Sequence, residues 1–213
     1  MVVIVLGSPR SGSSMTSGII HKMGINMGTR FVGSGPENPV GFYEDKDFLV
    51  LNRKILAEAG GRWDRPPAYP RVADAGKVLS DQIDSLLKKK NKNKMWGWKE
   101  PRTVLTLPLY LKRLNHKDVR FVFIHRNLLS SGISLAARPK HNLTVDRGMR
   151  LALQYETQCL EYTRLYPEIQ RIHVAYEKML KDPKVVNEIG KFLGVKVTKA
   201  AKNHINPSLE RSG

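Results

Sequence analysis

Apolar residues come in two kinds of run along this chain, and their alternation predicts the architecture. The first run, Val2-Val3-Ile4-Val5-Leu6, has no polar interruption and ends at Gly7, as expected of a strand buried on both faces. The spacing then predicts a helix over 14–23, closed by Gly24. After a polar stretch over 26–39, apolar positions at Phe48, Leu49, Leu51, Ile55 and Leu56 suit a second helix over 42–59, ended by Gly60 and Gly61. Residues 62–73 carry Trp63, Pro66, Pro67 and Pro70 and predict an irregular surface segment. An amphipathic helix over 75–89, a short strand over 95–99 stopped by Pro101, and a helix over 105–114 follow. The aromatic and β-branched run over 119–126 predicts a central strand. The longest helix is expected over 145–166, with a last strand at 172–175 and a closing helix at 184–193. With strands and helices alternating and no internal repeat, the reading is α/β: a central, mostly parallel sheet flanked by helices in three layers.

The junction after the first strand is the most informative segment. Gly7-Ser8-Pro9-Arg10-Ser11-Gly12-Ser13-Ser14 has the G-x-x-x-x-G spacing of a P-loop, in which backbone N–H groups and a helix N-terminus face phosphate oxygens. A glycine-rich turn with no ligand is the plainer reading, but a strand before and a helix after are the context that confirms a phosphate loop. Ser8, Ser11, Ser13 and Ser14 add hydroxyl donors, and Arg10 adds a charge that does not titrate near neutral pH. A nucleotide-hydrolysing loop needs Lys after its second glycine. Here that position is Ser13, so the loop reads as built for phosphate but not for ATP or GTP hydrolysis.

Composition narrows the class. A chain of 213 residues with 41% hydrophobic content is long enough for one domain, 1–213, with a full core. Cys159 is the single cysteine, which rules out a disulfide framework and suits a cytoplasmic setting. The opening apolar run is too short for a signal-peptide core, and nothing approaches the roughly 20 apolar residues of a membrane span. The formal charge of +17 predicts attraction to acidic glycans, nucleic acid or anionic lipid. Much of that surplus lies in Lys88-Lys89-Lys90-Asn91-Lys92-Asn93-Lys94, which reads more simply as a solvated helix end than as a docking patch.

Arg10, Lys99 and Arg126 each fall at or just after the carboxyl end of a predicted strand, which is where open parallel sheets bind ligands. Any one of them could be an ordinary surface cation. Three on one rim suit a ligand with more than one phosphate-like group.

At these residues the chain resembles the sulfotransferases that use 3′-phosphoadenosine 5′-phosphosulfate (PAPS) and release 3′-phosphoadenosine 5′-phosphate (PAP). Pro9-Arg10-Ser11-Gly12-Ser13-Ser14 is similar to their 5′-phosphosulfate loop, with Arg in place of the commoner Lys. Arg126 and Ser134, eight positions apart, resemble the pair that binds the 3′-phosphate. Weaker similarities lie in Asn38-Pro39-Val40-Gly41-Phe42-Tyr43-Glu44, in Trp98-Lys99-Glu100-Pro101-Arg102, and in Tyr176-Glu177, Asp182-Pro183 and Phe192-Leu193-Gly194. The tail Arg211-Ser212-Gly213 matches a closing basic loop only faintly.

The resemblance implies a P-loop-NTPase-like sandwich and metal-independent, in-line sulfuryl transfer to a hydroxyl of a carbohydrate or small molecule, an anionic one included. It implies a donor site made by Ser8, Pro9, Arg10, Ser11, Gly12, Ser13, Ser14, Arg126 and Ser134. Arg10 and Lys99 would stabilise the transferring group, with a plain salt bridge to Glu100 as the alternative for Lys99. Glu44 is the candidate base, with a capping or salt-bridged role as its alternative, and Glu100 and His125 are the fallbacks. His21 and His116 read as surface residues, and the six histidines show no metal-ligand spacing. Trp63, Arg65, Tyr69, Arg138 and Lys140 lie in segments that could border the acceptor. Two rival classes remain open here. A P-loop kinase would leave Ser13 and the Arg126–Ser134 pair unexplained, and a polyanion- or nucleic-acid-binding module rests on net charge alone. The oligomeric state is left open.

Overall fold

The computed structural model describes residues 1–35, 41–138 and 141–205. Four strands, β1 (Val2–Gly7), β2 (Trp96–Lys99), β3 (Val119–His125) and β4 (Gln170–Ala175), form one sheet in the order β2-β1-β3-β4. All three pairings are parallel. The sequence-level expectation of a parallel α/β sheet holds.

Period-two alternation divides the strand side chains between two layers. Ile4, Leu6, Trp98, Phe121 and Phe123 face a core shared with α2 (Lys46–Glu58), α3 (Tyr69–Val78), α4 (Ser80–Lys90), α5 (Thr103–Leu111) and α7 (Val145–Leu165). Phe48 stacks on Trp98 at 4.2 Å in that layer, a contact of the kind that adds about 0.5–1.5 kcal/mol beyond buried area. Val3, Val5, Val122, Ile124 and Val174 face the other layer, with α1 (Ser13–Lys22), α8 (Tyr176–Lys181), α9 (Lys184–Leu193) and α10 (Lys199–Lys202). The remaining helix, α6 (Leu128–Ala136), lies against α7 so closely that a Cβ on Gly132 would sit 2.5 Å from Met149 Cγ. That contact fixes α6, which carries Ser134.

The strand order places β1 beside β3 while their crossovers leave in opposite directions, β1 toward β2 and β3 toward β4. The crevice outside the carboxyl ends of two such strands is where doubly wound sheets take their ligands.

Several expected boundaries move, each for a local reason. The segment predicted irregular over 62–73 already contains the start of α3, because Pro70 occupies its first turn, where a missing N–H costs nothing. The single helix expected over 75–89 is two, broken at Leu79. α2 starts at Lys46 instead of residue 42, since the Asp45 side chain accepts from Asp47 N at 2.9 Å and caps it. The short helix α8 had no counterpart in the sequence reading. Among the described residues no helix is long and apolar enough to cross a membrane.

Candidate active site

The loop after β1 is a tight backbone cradle. Ser11 N donates to Ser8 O at 3.1 Å, and Arg10 and Gly12 both adopt positive φ, +72° and +92°. A non-glycine residue held there is strained by about 1–3 kcal/mol, and such alternation turns successive N–H groups to one side. Gly12 is obligatory on two counts, its φ and the 2.1 Å that would separate an added Cβ from Tyr176 Cδ2. Gly12 is also the N-cap of α1, and among the described residues no side chain caps that helix. Ser8, Pro9, Ser11 and Ser13 are buried, and the Ser11 hydroxyl has no hydrogen-bond partner among the described residues. The first turn of α1 and the loop therefore offer donors to an anion.

Three strand-end loops meet at this cradle. Arg126, just past β3, donates through Nη1 to Arg10 O at 2.8 Å and stacks 4.6 Å over the ring of Tyr176, which opens α8 after β4. Arg10 Nε donates to Ser134 Oγ at 2.8 Å. Asn127 caps α6 by accepting from Ser130 N at 3.0 Å, while its own N–H donates to Glu177 Oε1 at 2.9 Å. The two motifs singled out in the sequence, the Pro9–Ser14 loop and the Arg126–Ser134 pair, are thus one hydrogen-bonded unit.

Lys99 closes the other side of the crevice. It ends β2, is 2% exposed, and commits its ammonium to Ser14 Oγ at 2.9 Å, Phe42 O at 3.2 Å and Glu44 Oε1 at 3.0 Å. Its ion-pair partner is Glu44, not Glu100. Glu100 instead pairs with Arg102 and receives Arg102 N at 3.1 Å and Asn52 Nδ2 at 2.8 Å. Burial pushes its carboxyl up, the Arg102 charge pulls it back, and the nearby Glu44 charge adds to the rise. A group so enclosed is poorly placed to meet an acceptor.

Tyr43, at φ +48°, braces the segment that brings Glu44 to Lys99. Its ring lies 5.4 Å from Phe31 and 5.2 Å from His204, and its carbonyl accepts from Ser17 Oγ at 3.4 Å. His21, expected on the surface, packs 5.1 Å from Phe31, and burial lowers its basicity, as it does for His204. His116, expected on the surface, is half-buried and pairs with Glu168 at 2.6 Å.

His125 turns away from the crevice. Its side chain shares the Phe121–Phe123 face of β3, and its ring nitrogens meet Glu156 and, at 2.7 Å, His173 Nδ1. Among the described residues no group of three or more His, Cys, Asp or Glu side chains is placed to hold a metal ion.

The expected acceptor border is only partly assembled. Trp63 accepts at its carbonyl from Tyr155 OH at 2.9 Å and meets the His141 ring edge-on at 4.8 Å. His141 N donates to Arg138 O at 3.1 Å, so Trp63 and Arg138 flank one stretch of chain. Arg65 is exposed on the turn beyond Trp63. Tyr69 lies near Tyr162 and Tyr166, whose hydroxyls are pushed up chiefly by burial and to a smaller extent by neighbouring phenols, Tyr69 included, at the end of α7 remote from the strand carboxyl ends. Lys140, Asn38-Pro39-Val40 and Arg211-Ser212-Gly213 lie outside the described residues. The sequence reading gave no role to Tyr176 or Asn52. A polar Asn52 on the apolar stripe of α2 was the available signal for the second.

The likeness to known proteins agrees with this geometry. Among solved structures, the sulfotransferase domain of the Synechococcus PCC 7002 olefin synthase superimposes with a TM-score of 0.58 at 15% identity, covering 98% of this chain and 85% of that one. The sulfotransferase domain from the curacin biosynthetic pathway gives 0.52 at 15% identity, with coverages of 99% and 80%. Sulfotransferase STF1 from Mycobacterium tuberculosis H37Rv gives 0.58 at 15% identity, with 95% and 70%. At such identities these structures speak to the fold alone. No curated protein matches the sequence. The model of the sulfotransferase family matches residues 3–199, nearly the whole α/β unit with every strand and all the residues of the crevice, and the chain belongs to that family.

Proposed function

We propose that this sulfotransferase takes its sulfuryl group from PAPS and delivers it to a hydroxyl of a carbohydrate or small molecule, releasing PAP. The observation that carries the reading is the linked set Arg126, Arg10 and Ser134, which joins the turns after β1 and β3 beside the buried Lys99. The buried Ser11 hydroxyl, unpartnered among the described residues, and the start of α1, which no described side chain caps, fit a phosphate-bearing ligand.

Ser8, Pro9, Ser11 and Gly12 shape the loop; Arg10, Ser13 and Ser14 would hold the 5′-phosphosulfate. Arg126 and Ser134 would hold the 3′-phosphate, with Tyr176 keeping the Arg126 guanidinium in plane. The donor supplies an activated sulfuryl group: a bond from acceptor oxygen to sulfur forms as the bond from sulfur to the phosphate oxygen breaks. Lys99, bonded to Ser14, would stabilise the oxygen on which leaving-group charge grows. Glu44, 14% exposed and held through Oε1 by Lys99, takes the acceptor's proton at its other oxygen. The chain's own cations supply the charge stabilisation, and no metal is assigned a part. Trp63 and Arg138 would border a sugar or other polar acceptor. The buried single cysteine suits a cytoplasmic setting.

The test is a transfer assay with labelled PAPS and a panel of sugar, phenolic and aliphatic hydroxyls. Label moving to an acceptor, with stoichiometric PAP, supports the reading. Label moving only to water for every acceptor, at the uncatalysed rate, removes it.

A further inference from the structure

We infer that Asn52 is a positioning residue for sulfuryl transfer, holding α2 against the turn after β2 so that Glu44 and Lys99 meet. The inference rests on the roles given above to those two residues.

Asn52 sits about two turns into α2, is fully buried, and makes four hydrogen bonds. Its Nδ2 donates to Glu100 Oε2 at 2.8 Å and Thr103 Oγ1 at 3.1 Å, and its Oδ1 accepts from Thr106 Oγ1 and Tyr110 OH, both at 2.7 Å. Those are the two donors and two acceptor sites of a primary amide. The Arg102 ion pair and the Arg102 N–H, which donates to the same Oε2, make Glu100 an acceptor and so orient the Asn52 amide nitrogen toward it. Trp98 Nε1, in β2, donates to the same Thr103 hydroxyl at 3.0 Å.

The partners explain why this bond set matters to the crevice. Glu100 is the residue after Lys99, so the Asn52–Glu100 bond attaches α2 to the backbone that carries the lysine. Glu44 immediately precedes Asp45, the N-cap of the same helix. A shift of α2 along or about its axis therefore moves Glu44 and the Phe42 carbonyl against Lys99 Nζ. Apolar contacts through Phe48, Leu51, Ile55 and Leu56 hold the helix on the sheet, but the hydrophobic effect behind them is non-directional. The amide is directional, and its satisfied network specifies one register.

The experiment compares Asn52→Ala with Tyr110→Phe in the full chain, reading turnover, KM for PAPS, PAP affinity by calorimetry, and thermal midpoint. Tyr110→Phe removes one donor to Asn52 and leaves the Asn52–Glu100 bond in place. Both variants should lower the midpoint. Asn52→Ala should cut kcat by roughly ten- to a hundredfold, the scale set by misplacing a reacting group by up to about 1 Å. Its PAP affinity and KM for PAPS should stay within about twofold, and Tyr110→Phe should keep kcat within about twofold. Asn52→Ser, which leaves a hydroxyl and a smaller void, should fall between, and it is read the same way if Asn52→Ala does not fold. Unchanged kcat in a folded Asn52 variant, or equal kcat losses in the Asn52 and Tyr110 variants, would overturn the inference. Lys99→Ala and Glu44→Gln are run alongside: full turnover in both would show instead that the underlying assignment is wrong.

Discussion

Around β1 and β3 the crevice is shaped by backbone: two positive-φ residues, an uncapped helix start, a guanidinium bonded to a carbonyl, and a glycine against a ring. Around β2 it is shaped by side chains reaching across the fold, with Lys99 to Glu44 spanning 55 positions and Asn52 to Glu100 spanning 48. On the proposed function, the first half would receive an anion on donors fixed by local chain geometry. The second is a set of charged groups whose spacing depends on how α2, β2 and α1 sit together. Ligand affinity should therefore reside mainly in the first half and turnover mainly in the second.

The largest effect that would break this division is at Glu44. Glu44→Gln should lower kcat by about 10²–10⁴-fold, the usual worth of a general base, with PAP affinity nearly intact; steady-state kinetics and calorimetry on one preparation check both. Lys99→Ala should cost about 10²–10³-fold in kcat, the scale for one electrostatic stabiliser. Because Lys99 also holds Ser14, this variant should weaken PAP binding somewhat, and a large loss of affinity with normal kcat would reverse the two halves. In the other half, Arg126→Ala removes charged hydrogen bonds of about 1.5–3 kcal/mol each. PAP affinity should fall about 10–100-fold, and loss of the bond to Arg10 O and the stack on Tyr176 should also lower the thermal midpoint of the free protein.

The smallest effect sharpens the comparison through pH. Burial alone would raise the Asp47 carboxyl, but hydrogen bonds from Arg30, Lys90 and Lys89 reverse this and hold it well below its ordinary value of 3.8. A carboxyl lowered in the folded state adds stability that is complete above its unfolded value and is lost as pH falls through the folded one. Acidification below about pH 4 should therefore loosen the start of α2, where Asp47 sits. Asp47→Asn should flatten that acid limb in a thermal-midpoint titration.

The same division explains what the sequence disclosed. β1, its loop, β3 and Arg126 are legible because each is a short contiguous signal: an unbroken apolar run followed by glycine and a cation at β1, and an aromatic and β-branched run ending in Arg126 at β3. The link between Arg10 and Ser134 is half legible: their motifs are local, but their contact depends on α6 packing tightly on α7 at Gly132. Lys99 and Glu44 could be named separately, yet not paired, since nothing in their spacing distinguishes Glu44 from Glu100. The start of α3 went unseen because proline argues against a helix unless it falls in the first turn, and α8 because six residues carry little periodicity. Asn52 shows the limit most clearly. Its misfit among Phe48, Leu51, Ile55 and Leu56 is visible in the sequence, but the four groups that satisfy it come from Glu100 and α5.

The central claim is that the β1–β3 half is built for a bisphosphate nucleotide. Calorimetric titration of the intact protein with PAP and with ATP, each with and without magnesium, tests it most directly. The account predicts metal-independent binding of PAP, much tighter than ATP; tighter ATP binding that requires magnesium, or no binding of either nucleotide, would contradict it.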